Sequence, residues 1–127
     1  MSRTFLSIAA ISGFLAVAFG AFGAHGLESI LDPSQLATYQ TGVEYHFYHT
    51  LALFGVGILA QHHNEASMLK LSGVMFALGI IIFSGSLYLL AVSGIRWLGA
   101  ITPLGGLGFL VGWAALLRFA WQQKETD

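Results

Sequence analysis

Four stretches long and apolar enough to cross a bilayer take up most of this 127-residue chain. A hydrocarbon core about 30 Å thick needs about 20 apolar residues in a helix, and residues 4–24, 43–61, 69–92 and 99–121 each meet that length. Lipid offers the backbone no hydrogen-bond partner, so such segments span as helices that satisfy themselves. Only a tight turn around Gly94-Ile95-Arg96-Trp97 separates the third stretch from the fourth. The expected fold is therefore all-α: a single domain, residues 1–127, forming an up-and-down bundle of four transmembrane helices.

The composition is that of a membrane protein, with 56% hydrophobic and 9% charged residues; roughly a quarter of an ordinary soluble domain is charged. The formal net charge of -1 comes without any basic patch interleaved with aromatics, so no nucleic-acid partner is expected. With no cysteine, disulfides, thiolate zinc sites and Cys-ligated iron–sulfur clusters are excluded. Metal chemistry would fall to histidine and carboxylate.

Basic residues near span ends are retained on the cytoplasmic side. Arg3, Lys70, Arg118 and Lys124 fall on one side of the four-span topology and Arg96 on the other, which predicts that both termini are cytoplasmic. The first segment also has the positive start of a signal peptide and a small-x-small triplet, Ala21-Phe22-Gly23, but its apolar run exceeds the 7–15 residues of such signals. It is expected to stay as a span.

Small residues at three- and four-residue spacing mark one face of the first segment (Ala9, Gly13, Ala16, Gly20, Ala24) and one face of the fourth (Gly105, Gly108, Gly112, Ala115). These seams predict close helix packing, within the chain or between copies. Asp32-Pro33-Ser34-Gln35 reads as an N-cap, a proline in the first helical position and a glutamine that closes a capping box. A helix running unbroken from there to Gln61 would be about 43 Å long. Its first turns are expected above the interface, with a bend near Gly42 and Glu44 at headgroup level. Thr102-Pro103 fits either a helix start or a kink; Ser84 and Ser86 can each bond to their own helix backbone at i−4 and read as helix-packing serines, with a substrate-lining role as the alternative.

The polar cluster at the outer ends of the first two helices is the candidate site: His25, Glu44, His46 and His49. Ionisable groups at membrane depth are costly and invite a functional reading. On a helix His46 and His49 lie about 60° apart and share a face, whereas Glu44 is about 160° from His46. A metal site would need His25 as its third ligand, in a geometry open to zinc or copper. The reading preferred is that His25 and His49 join two helix ends by hydrogen bonding, with a proton- or ligand-responsive site as the alternative. His62-His63, beside Asn64 and Glu65, reads as a solvated turn. No nucleophile elbow, phosphate loop or His-Glu-x-x-His is present, and no catalytic residue, metal or cofactor is assigned.

Gly20-Ala21-Phe22-Gly23-Ala24-His25-Gly26-Leu27, Thr41-Gly42-Val43-Glu44-Tyr45-His46-Phe47-Tyr48-His49-Thr50-Leu51-Ala52, Phe83-Ser84-Gly85-Ser86-Leu87-Tyr88 and Thr102-Pro103-Leu104-Gly105-Gly106 resemble, in order and spacing, the YgdD-like family of small bacterial inner-membrane proteins, a family of unknown function with small eukaryotic transmembrane relatives. The resemblance covers residues 8–113. It implies a retained four-span protein of the bacterial inner membrane and no transferable catalytic residue. His25 and His49 fall on the family's usual histidines, while His46 stands where relatives often have glutamine, which argues against a three-histidine metal site.

The expected function is that of a non-enzymatic membrane protein embedded in the lipid bilayer, a homo-oligomer or an accessory subunit of a larger membrane complex. The alternative is a small-molecule or ion transporter or channel with its polar site at the outer ends of helices 1 and 2. A His-ligated metal or haem protein is the third reading.

Overall fold

The computed structural model describes residues 1–125, which are helical apart from short connections. Five α-helices follow in order: α1 (Ser2–Phe22), α2 (Pro33–Ala60), α3 (Ser67–Gly79), α4 (Gly85–Ser93) and α5 (Thr102–Gln122). Two π-helical turns extend them. Gly23–Leu27 prolongs α1, and Ile80–Ser84 joins α3 to α4 without interruption. A 3-10 turn, Arg96–Ala100, leads into α5. Three of the resulting rods, Ser2–Leu27, Ser67–Ser93 and Arg96–Gln122, are long and apolar enough to cross a membrane, at 26, 27 and 27 residues. The fourth, α2, has the length at 28 residues, but Glu44, His46 and His49 dilute its hydropathy.

Local signals set most of the boundaries. Asp32 accepts from the Gln35 backbone N–H at 2.8 Å and its own N–H donates to Gln35 Oε1 at 3.2 Å, so the capping box forms and Pro33 opens α2. Gly94 ends α4 with φ at 70°, a left-handed conformation that glycine adopts without steric cost. Pro103 lies in the first turn of α5, which makes it a helix start and not a kink. Thr102 is not the cap, since Ile101 occupies that position; the Thr102 hydroxyl bonds Ser86 Oγ at 2.6 Å.

Helix α1 packs along α2, α2 along α3 and α4, and α5 along α3 and the second π turn. The pairs are antiparallel and close because small residues line them. A Cβ on Gly105 would fall 2.4 Å from the Phe83 backbone nitrogen, and one on Gly112 would fall 2.6 Å from the Phe76 ring. A Cβ on Gly108 would lie 3.6 Å from the Gly79 Cα; those on Gly13 and Gly20 would meet Thr50 and Val43 at 3.5 and 3.4 Å. Both seams seen in the sequence are thus occupied within the chain. Phe5, Leu53, Leu69, Phe76, Phe109 and Phe119 fill the space between the rods and form the main core.

Two expectations are corrected. The bend expected near Gly42 is absent: α2 runs without a break from Pro33 to Ala60, with its first turns packed against α1. The π turn carries α1 on to Leu27, so Pro33 begins beside the end of α1, and the Tyr39 hydroxyl donates to the Phe19 carbonyl at 2.6 Å. Ser84 does not bond to its own helix: its hydroxyl donates across to the Gly42 carbonyl of α2 at 2.7 Å. Gly42 is buried under Tyr88 and Leu87, and its missing side chain permits that approach.

Candidate functional site

A hydrogen-bonded row of side chains crosses three helices at mid-length. His46 of α2 contacts the Tyr88 hydroxyl of α4 through Nδ1 at 2.9 Å and Ser12 Oγ of α1 through Nε2 at 3.0 Å. Ser12 Oγ in turn lies 2.6 Å from Thr50 Oγ1, one helical turn from His46 on the same face of α2. Ser12, His46 and Thr50 are all buried, at 8, 4 and 5% exposure. The Phe19 and Tyr39 rings pack against Tyr88 at centroid distances of 4.9 and 5.0 Å and close the row toward the loop at 28–32.

His49 belongs to a second arrangement on the other side of α2. The Trp113 indole N–H donates to His49 Nε2 at 3.1 Å. Nε2 is therefore an acceptor, Nδ1 carries the proton, and it donates to the Tyr45 carbonyl at 2.9 Å. The imidazole stacks on Phe109 with centroids 3.5 Å apart and planes 7° from parallel. His46 has no such fixed tautomer, because both of its partners are hydroxyls that donate or accept.

The four residues singled out in the sequence separate. His25 is exposed in the π turn that ends the first rod, and Glu44 is exposed on α2. His46 and His49 are buried but diverge, one toward α1 and α4, the other toward α5. The expected latch between His25 and His49 is not formed, because the helix register rules it out. Gly23 faces Tyr39, which leaves His49 about 18 Å further along the bundle than His25 at 1.5 Å per residue. Among the described residues no group of three or more His, Asp or Glu side chains is placed to hold a metal ion. The 60° between His46 and His49 is enough for two different neighbours to claim them, since α2 is flanked by helices on both sides.

His46 is also set well back from the helix ends. His46 lies about 20 Å from the start of α2 and meets Ser12 near the middle of the rod Ser2–Leu27. The row's other members, Ser12, Thr50 and Tyr88, and His49's partners, Phe109 and Trp113, were not assigned to the site from sequence. Ser12 and Thr50 are hydroxyls in apolar surroundings, a usable signal once the α1–α2 register is known.

Three membrane-length apolar rods, packed with α2 around a polar row, define an integral membrane protein. The family described as "Protein of unknown function (DUF423)" matches residues 19–106. The chain is 47% identical over 124 residues to the UPF0382 inner membrane protein YgdD of Escherichia coli K12, covering 98% of this chain and 94% of that one. It is 45% identical over 115 residues to the UPF0382 membrane protein YwdK of Bacillus subtilis 168, covering 91% and 94%. A UPF0382 membrane protein of Haemophilus influenzae is 41% identical over 125 residues, covering 98% and 99%. The chain belongs to this family, and it is a multi-pass protein of the inner, cytoplasmic membrane. No solved structure matches it.

Proposed function

We propose that the protein crosses the inner membrane four times with both termini cytoplasmic, and that it is a non-enzymatic membrane subunit that works by binding a membrane-borne partner in a lateral groove. The observation that carries this reading is the polar row itself. His46 and Tyr88 border a groove of about 510 Å³ that runs between α1 and the segment from Ile80 to Val92. A histidine near the middle of α2, hydrogen-bonded to a tyrosine that borders an apolar, side-opening groove, is costly to maintain for packing alone. The glycine seams, by contrast, are filled by this chain's own helices, so they supply no argument for self-association.

Topology is testable cleanly because the chain has no cysteine. Ser34→Cys should react with a membrane-impermeant maleimide in intact cells, and Glu65→Cys and Gln123→Cys only after the membrane is opened. If the cysteines at 34 and 65 react from the same side, α2 does not cross and the topology fails. For the binding reading, a photo-crosslinking amino acid replaces Ile81 on the groove wall and, as a control, Leu117, which is 60% exposed on α5. The expected result is an adduct at 81 that differs from the bulk phospholipid captured at 117. Identical adducts at both positions would remove the groove from the function.

A further inference from the structure

We infer that the groove holds the carbonyl-bearing end of a membrane-dissolved amphiphile, hydrogen-bonded by the Tyr88 hydroxyl. The inference rests on the binding reading above and names the chemistry of the occupant. It follows from a count of protons along the buried row. A neutral imidazole carries one N–H, and the hydroxyls of Ser12, Thr50 and Tyr88 carry one proton each, so four protons serve the three bonds that link the row. One proton is always left over. Thr38 and Thr41 place theirs on helix carbonyls four residues back, at 3.2 and 3.1 Å. Among the described residues the Thr50 hydroxyl bonds Ser12 alone.

If the row runs from Thr50 to Ser12 to His46 Nε2, then Nδ1–H donates to the Tyr88 oxygen and the spare proton sits on the Tyr88 hydroxyl. Tyr88 and His46 both border the groove. In that polarity every other member of the row is satisfied, and the row's outstanding need is an acceptor in the groove. A donor facing an apolar groove without a partner is costly, so the occupant is one that supplies an acceptor on an otherwise apolar body. The remaining walls, including Phe19, Ile81 and Leu89, are apolar and fit such a body.

Gly85 leaves this space unfilled. It borders the groove, and a Cβ built on it meets nothing within 4 Å. Elsewhere in the rods, glycines at 57, 73, 79, 105 and 112 are demanded by a neighbour that a Cβ would strike. At 85, as at Gly55 of α2, no neighbour makes that demand, although glycine inside a helix costs roughly 0.5–1 kcal/mol relative to alanine; of the two only Gly85 borders the groove. The adjoining π turn Ile80–Ser84 forms the same wall, and π turns inside helices are frequent at functional sites.

A quinone ring and a lipid ester both present such a carbonyl, and one titration separates them. Wild-type protein in mild detergent is titrated with decylubiquinone, with a monoacylglycerol and with dodecane, following the melting temperature. A saturable rise is expected with a carbonyl probe and none with dodecane; a response to the quinone alone assigns the ring carbonyl, and to the monoacylglycerol alone the ester. Tyr88→Phe, which keeps the ring packing, should weaken that response about tenfold. Gly85→Leu should abolish it by filling the groove, and Ile81→Trp provides the same block should Gly85→Leu fail to fold. Undiminished affinity in Tyr88→Phe, with Gly85→Leu still blocking, overturns the carbonyl inference and leaves the groove reading standing. No saturable response to either carbonyl probe also overturns it, as does capture of a polypeptide by the photo-crosslinker at 81. The crosslinking contrast between 81 and 117 decides the groove reading separately.

Discussion

Replacing Gly105 by alanine is expected to cost about 3 kcal/mol of stability and to deplete the protein from membranes, although the substitution adds one methyl group. The reason is the identity of what that methyl would strike. On Gly105 it would lie 2.4 Å from the Phe83 nitrogen and 2.7 Å from its Cα. Backbone atoms cannot rotate away as a side chain does, so α5 and the π turn at Ile80–Ser84 must part. That separation also disturbs Phe109 over Gly79 and Phe76 over Gly112, because the three contacts belong to one helix pair. Gly85→Ala is the matched control. The added methyl meets nothing, and the variant should equal wild type or gain roughly 0.5–1 kcal/mol. Melting temperatures of both variants in the same detergent check the contrast; equal losses would contradict the packing described for α3 and α5.

The second large effect is expected at His46. His46→Ala removes the side chain that joins α1 to α4, strands the Tyr88 hydroxyl and takes one partner from Ser12. Inter-helical hydrogen bonds in membranes average about 0.6 kcal/mol and reach about 1.7. Two such bonds plus the cavity left by a buried ring predict a loss of about 2–4 kcal/mol in reversible unfolding from mixed micelles. Glutamine reaches as far as Nε2, so His46→Gln should keep the Ser12 bond, lose the Tyr88 bond and recover about half of the loss. The double variant with Ser12→Ala should show a coupling of about 1 kcal/mol. His25→Ala should leave stability unchanged, since His25 is exposed. A cost at His25 as large as at His46 would contradict the site.

What was legible in the sequence was what short-range physics decides. Asp32, Pro33 and Gln35 form their capping box from neighbours in the chain, so the start of α2 was readable. Apolar runs announced the helical class, and three rods have the length and hydropathy of spans. The small-residue seams were readable as packing faces, though not their partners. The register of α1 against α2 was hidden, because it depends on a π turn at Gly23–Leu27 that no residue pattern announces. That one extension moves Pro33–Gly42 alongside α1 and sets His46 opposite Ser12, where the sequence had suggested His25 with His49. The direction of each imidazole was hidden for a related reason: helical phase gives an angle on α2, but not which neighbour occupies it.

The register of α1 on α2 is the central claim, and paired cysteines in this cysteine-free chain test it most directly. Ser12→Cys with Thr50→Cys replaces two oxygens that lie 2.6 Å apart, and mild oxidation in native membranes should join them within one chain. His25→Cys with His49→Cys should stay reduced under the same conditions. Ready cross-linking of positions 25 and 49, with none between 12 and 50, would contradict the account.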